Sequence, residues 1–249
     1  MQRLELPSES ELVANFKLLS ETIEPVRRYS QATAQKSFVA DDGRKADLER
    51  MIFSPEKAAL LAFLCQHCEA ELSIEIGFGM GSSATVILGT RRSTGRNFEH
   101  LILDPWGISR LDGEIVQDYL EQEFGPKFQR IWERSEIALG QILKTRGQGK
   151  AGLIFIDGGH QFENVMTDFA LSDLLCAHHG YIVLDDAAFP AIETVLNYIR
   201  ANRPDYQIAY QPVPDIAVLR KVAPDARSWS SFKPFEVPDR SDWTSVNHT

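Results

Sequence analysis

From about residue 57 onward, short runs of consecutive apolar residues alternate with longer stretches in which apolar positions recur every three or four residues. The runs at 72–76, 100–103, 128–132, 153–156 and 181–184 are rich in Ile, Leu, Val and Phe and read as strands. Between them the helical period predicts helices over 82–92, 114–123, 136–144, 162–177 and 191–200. In the fourth of these Phe162, Val165, Met166, Phe169 and Leu174 share one side. Two further strands, 206–211 and 216–222, are joined by Pro212-Val-Pro214-Asp and predict an antiparallel hairpin. Strands that are apolar throughout belong in a parallel sheet covered by helices on both faces. The expected fold class is therefore α/β, a doubly wound sheet with an antiparallel C-terminal hairpin.

The flanks read differently. Residues 1–56 are polar and mostly helical in pattern, with Leu12, Phe16, Leu19 and Ile23 at helical spacing, no convincing strand, and a loop at Asp41-Asp42-Gly43-Arg44. They are expected to form a helical N-terminal cap over the site, an oligomerisation element, or packing on the sheet. A helix opens at Ser54-Pro55-Glu56, with Ser54 as N-cap, Pro55 in the first turn and Lys57 where a capping-box acid would stand. The main domain is assigned to 57–222. Residues 223–249 form a polar tail that carries Trp229, Phe232, Phe235 and Trp243 and so is expected to dock in part.

Composition narrows the classes. The chain has 249 residues, 43% hydrophobic and 24% charged, with a formal charge of −9, which argues against a basic nucleic-acid footprint. It has no apolar run of about 18 residues to span a membrane. The acidic start, Met1-Gln-Arg-Leu-Glu-Leu-Pro-Ser-Glu, lacks the apolar core of a signal peptide, so a cytoplasmic location is expected. Three cysteines are too few for a disulfide framework. Cys65 and Cys68 lie one turn apart on an apolar helix and read as small packing residues rather than half a zinc site.

Two half-sites carry chemistry. The first is Glu75-Ile-Gly77-Phe-Gly79-Met-Gly81-Ser82, a glycine turn between a strand and a helix, where backbone can approach a nucleotide-like ligand closely. Ser82 stands where the third glycine of a dinucleotide fingerprint would fall. Asp104 ends the next strand, in position to accept hydrogen bonds from ribose hydroxyls. The second half-site is Ile156-Asp157-Gly-Gly-His160 with Leu184-Asp185-Asp186. Asp157, Asp185 and Asp186 end two strands expected to be neighbours, and three carboxylates without cysteine favour Mg²⁺, Mn²⁺ or Ca²⁺. His160 has the chemistry of a general base beside them.

The glycine turn, in an E/D-x-G-x-G-x-G pattern, resembles that of the class I S-adenosylmethionine-dependent methyltransferases, and 57–222 fits their Rossmann-like alternation, including the final hairpin. The resemblance implies S-adenosylmethionine as cofactor, held by Gly77, Gly79, Gly81 and Asp104, with Glu75 and Ser82 as neighbours and Ser135 in the region of the adenine. Asp157-x-x-His160 with Asp185-Asp186 is similar to the metal-dependent O-methyltransferases, in particular the branch with macrolide-sugar and cephalosporin-pathway members. Catechol-type members have Asn where Asp186 stands and Lys where His160 stands. The implied activity is transfer of a methyl group to a hydroxyl of a small molecule, with Mg²⁺ or Mn²⁺ on Asp157, Asp185 and Asp186 and His160 as base. Metal-independent methylation, a nicotinamide-dependent oxidoreductase and a non-catalytic binding protein remain as alternatives. The oligomeric state is open.

Overall fold

The computed structural model describes residues 5–48, 53–105, 111–210 and 212–239. Seven strands form one sheet: β3 (Leu72–Ile76), β4 (Glu99–Leu103), β5 (Phe128–Ile131), β6 (Ala151–Ile156), β7 (Cys176–Asp185), β8 (Tyr206–Ala209) and β9 (Ile216–Lys221). Their spatial order is β5-β4-β3-β6-β7-β9-β8. Neighbours from β5 to β7 are parallel, and β9 runs antiparallel to both β7 and β8. This is a Rossmann-like α/β sheet with an antiparallel C-terminal hairpin, as the alternation predicts. The chain winds outward from β3 to β5 and then returns to β6, so the direction of winding reverses between β3 and β6.

The sheet is covered on both faces because its strands are apolar on both. In β6, Ile154 and Ile156 join one core while Leu153 and Phe155 join the other. The first core lies under α6 (Ser135–Arg146), α7 (Phe162–Leu175) and α8 (Pro190–Asn202). The second lies under α3 (Pro55–His67) and α4 (Ser82–Ser93), against which α1 (Glu9–Thr22) and α2 (Glu24–Gln35) pack. The N-terminal helices thus extend this helical layer. Helix α3 begins as its sequence suggests, with the Ser54 side chain accepting the Lys57 backbone N–H at 3.2 Å.

One expectation is corrected here. The N-terminal segment holds a two-stranded hairpin, β1 (Ser37–Val39) and β2 (Lys45–Asp47), turning at the Asp41–Gly43 loop. Each strand has three residues, too few for an alternating pattern to register, and the strands' apolar burial comes from Phe38 and Ala46, which join the core formed with α5 (Leu111–Phe124) and α2. The tail docks in part. Asn202 on α8 exchanges hydrogen bonds with Lys233 backbone at 2.7 and 2.9 Å, and Phe235 packs edge-on against Tyr198. Trp229 stays exposed, and Trp243 lies outside the described residues.

Two buried polar groups are held by opposite means. Arg91 on α4 is fully buried, and its guanidinium donates to the carbonyls of Cys68, Ala70 and Glu71 at 2.9, 2.5 and 3.0 Å. It closes the link from α3 to β3. Asp168 on α7 is buried with Oδ1 unpartnered. Burial raises its pKa to about 6 against a smaller opposing effect of its hydrogen bond with Ser135 at the start of α6.

Replacing Arg91 with Leu removes three hydrogen bonds from a fully buried guanidinium, while Arg96 still serves the Cys68 carbonyl and the Glu99 N–H still serves that of Glu71. It is expected to lower stability by about 3 kcal/mol or more in urea denaturation. For Asp168 the folded state holds the proton more tightly than the unfolded chain, so stability falls as pH rises through about 6, by up to about 3 kcal/mol. Asp168→Asn removes that loss. Thermal melts are expected to show the variant gaining on the wild type at about pH 8 and gaining little at about pH 4.

Candidate active site

Four parallel strands end at one level. Ile76 pairs with Leu103 on one side and Ile156 on the other, and Ile156 pairs with Leu184. The residues that follow, Asp104, Gly77, Asp157 and Asp185, therefore stand in a row along the C-terminal edge of the sheet. Gly77 donates its N–H to Leu103 O, and Asp157 donates to Ile76 O, both at 2.9 Å.

Glycine is required at Gly77. Its φ is +94°, and a Cβ there would fall 2.0 Å from the Asp157 carbonyl oxygen. Gly79 and Gly81 also take positive φ, and Gly81 caps α4, with Ser82 as that helix's first residue. Glu75, beneath the turn, is fully buried and accepts from the Ser83 hydroxyl and from His100 Nε2, the latter at 2.9 Å. The other imidazole nitrogen of His100 meets Ser73 Oγ at 3.0 Å. These contacts hold the turn from below.

Asp104 accepts the Phe78 N–H at 3.0 Å and lies 3.2 Å from Arg130 Nη2. Arg130 carries no motif of its own; it is a buried charge in β5, between Ile131 and the exposed Gln129. Its guanidinium lies 3.8 Å from the Trp132 ring centroid and 4.6 Å from that of Phe78, and it donates to Gln117 at 2.8 Å. It ties the acid to the glycine turn, to the end of β5 and to α5. Ser135, assigned near the adenine, starts α6 and is engaged with Asp168.

On the other side of the row, Asp157, His160 and Asp186 each place one ligand atom within 4.8 Å of the others. His160 Nε2 is 3.0 Å from Asp186 Oδ2, and its ring packs on Phe189 at 4.5 Å. Asp186 has φ +52°, a left-handed conformation that turns its carboxylate toward His160. Burial, then the neighbouring Asp185 and Asp186 carboxylates, drive the Asp157 pKa well above its ordinary value. The His160 hydrogen bond holds that of Asp186 below its own.

Asp185 stands apart from this trio. Its Oδ1 receives the Lys57 ammonium at 2.5 Å and the Asp186 N–H at 2.9 Å. Lys57 also reaches Asp215 Oδ2 at 3.4 Å and Asp186 Oδ1 at 3.8 Å. Burial works against the Lys57 charge, but Asp185, Asp215 and Asp186 outweigh it and raise its pKa. Asp215, between β8 and β9, accepts the Ala188 N–H at 2.9 Å and so shapes the loop after Asp186. Neither Lys57 nor Asp215 was singled out by motif. The available signal was a lysine in the first turn of a helix, where the dipole disfavours it.

Phe78 and Met80 are core, Phe162 is exposed at the start of α7, and Trp106 lies outside the described residues. Cys65, Cys68 and Cys176 are buried free thiols, and burial raises the pKa of each. Among the described residues no helix is long and apolar enough to cross a membrane.

Residues 74–187 match the model of a family described as a methyltransferase domain. A curated relative, uncharacterized protein R132 of Acanthamoeba polyphaga mimivirus, is 28% identical over 141 residues. That match takes in 52% of this chain and 61% of the relative, so it spans about three fifths of the relative's length. Among solved structures, the S-adenosylhomocysteine-bound Podospora anserina methyltransferase PaMTH1 aligns with a TM-score of 0.59 at 14% identity, covering 90% of this chain and all of that one. An O-methyltransferase from Bacillus cereus, also in complex with S-adenosylhomocysteine, aligns at 0.59 and 16% identity over 86% of this chain and 100% of its own. The match of the segment that holds the glycine turn, Asp104, Asp157, His160, Asp185 and Asp186 agrees with the strand order and the reversal beside Gly77. Residues 74–187 are thus similar to a methyltransferase domain, and the chain shares the fold of these S-adenosylhomocysteine-bound methyltransferases.

Proposed function

We propose that this protein transfers the methyl group of S-adenosylmethionine to a hydroxyl of a small molecule, with a divalent cation at the acidic end of the row. The observation that carries this reading is the row itself. One sheet edge sets the glycine turn and Asp104 directly beside Asp157, His160 and Asp186.

Gly77, Gly79, Gly81 and Asp104 are assigned to the cofactor, with Glu75 and Ser82 supporting the turn and Ser135 on the β5 side. S-adenosylmethionine supplies a methyl group on a sulfonium, so attack by oxygen breaks the carbon–sulfur bond and leaves a neutral thioether. The protein's task is then to hold the acceptor oxygen in line and to take its proton. His160 fits the second role. With Nε2–H donated to Asp186, Nδ1 is left to accept the proton, and the Asp186 carboxylate stabilises the imidazolium that forms.

The donor set suits a hard cation. Two carboxylates converge beside the imidazole, and Asp157 is crowded by like charges that a cation would relieve. Mg²⁺ or Mn²⁺ would be held by Asp157 and Asp186 beside His160, and would supply Lewis-acid polarisation of the acceptor hydroxyl. That chemistry favours acceptors with two adjacent oxygens, such as vicinal diols, catechols and glycosides.

Release of S-adenosylhomocysteine across a panel of such acceptors is the direct test, and no release from any of them would overturn the proposal. His160→Ala and Asp157→Asn are expected to lower kcat by about a hundredfold or more while S-adenosylhomocysteine affinity stays within about threefold. Asp104→Asn should do the reverse, weakening S-adenosylhomocysteine binding by about tenfold or more in calorimetry. Activity that survives exhaustive chelation unchanged would remove the cation from the mechanism.

A further inference from the structure

Lys57 projects from the first turn of α3, outside the matched 74–187 segment, into the middle of the carboxylates. Two costs oppose a charged lysine there. It sits at the positive end of a helix dipole, and its side chain is only 15% exposed. Three carboxylates, from Asp185, Asp215 and Asp186, compensate at 2.5, 3.4 and 3.8 Å. The contact with Asp185 is the shortest, and Asp185 is the most enclosed of the three, with its side chain 6% exposed.

We propose that Lys57 is an internal counter-ion that withholds Asp185 from the divalent cation and so divides the acidic cluster. One half, Asp185 and Asp215, is held by the ammonium and fixes the loop after β7. The other half, Asp157 and Asp186 beside His160, is left to the cation. This rests on the cation-binding part of the function proposed above.

The division has a geometric basis. Asp185 Oδ1 is shared between the Lys57 ammonium and the Asp186 N–H, so a metal bond to that oxygen would have to displace one of them. The three side chains able to share an ion among the described residues do not include Asp185. The ammonium also stands 3.8 Å from Asp186 Oδ1, where it repels a second positive charge and weakens cation binding. Lys57 is therefore a positioning residue whose charge sets both the ligand set and the affinity.

The test is a Mn²⁺ titration of the full chain in mildly alkaline buffer, followed by loss of the free-ion electron paramagnetic resonance signal. Removing the ammonium in Lys57→Met is expected to tighten Mn²⁺ binding at least about tenfold, and Lys57→Arg to leave it near the wild-type value. Asp185→Asn in the wild-type background is expected to change affinity by less than about threefold. Combined with Lys57→Met it should abolish the gain. Wild type and Lys57→Met binding equally well would overturn the counter-ion role while leaving the proposed function intact. No binding by the wild type with binding by Lys57→Met would uphold that role and overturn the cation's part in the function. Binding by neither would overturn both. Should Lys57→Met fail to fold, Asp185→Asn still decides: a loss beyond about tenfold makes Asp185 a ligand and overturns the proposal.

Discussion

The site depends on the shared register of four parallel strands. Ile76, Leu103, Ile156 and Leu184 lie side by side in register, and each is followed by a carboxylate or by the first glycine of the turn. Side chains alternate across a strand, so a slip of one residue in any pairing would send a carboxylate into one of the two cores. The apolar interiors of β3, β4, β6 and β7 thus hold Asp104, Asp157 and Asp185 at a common level. The same packing brings Gly77 against the Asp157 carbonyl, closer than any side chain permits. The glycine turn and the acidic cluster share a wall, and neither can shift without the other.

The two ends of the row differ in charge. At the β4 end, Asp104 is met by Arg130 and by a backbone N–H, so its charge is balanced by the protein itself. At the β7 end, Asp157, Asp185, Asp186 and Asp215 face Lys57 and a half-exposed imidazole. Four carboxylates against one permanent cation leave an excess of negative charge in a partly desolvated cleft. The protein relieves part of it by holding a proton more tightly on Asp157. A cofactor bearing a sulfonium and a hard divalent cation are both positive partners for such an edge.

Much of this was legible in the chain. Strand 72–76 falls where the apolar run places it, and the other strands and helices of the sheet differ from the pattern by a few residues at their ends. Gly77, Asp104, Asp157 and Asp185 announce themselves because strand ends are chemically distinctive after apolar runs. The β1–β2 hairpin was missed because three-residue strands carry no period. Lys57, Arg130 and Asp215 were missed for another reason. Lys57 reaches Asp185 across 128 positions of sequence, Arg130 reaches Asp104 across 26, and Asp215 reaches Lys57 across 158, and no local motif records such a distance.

How Lys57 arrives at the site follows from helix geometry. Helix α3 has 13 residues, about 20 Å, which is enough to span the sheet from one edge to the other. It leads into β3 through a short link, 68–71, and must therefore run back alongside that strand. Its first turn then comes out at the edge where the strands end. Arg91 fixes the opposite end by gathering the carbonyls of Cys68, Ala70 and Glu71, so the depth at which α3 sits is set at the bottom of the domain. The reach of the Lys57 ammonium to Asp185 is then the far end of one rigid lever, anchored by a buried guanidinium and capped by Ser54. A cation placed this way is held by the fold of the helical layer, and its position relative to the carboxylates is as fixed as the strand register that holds them.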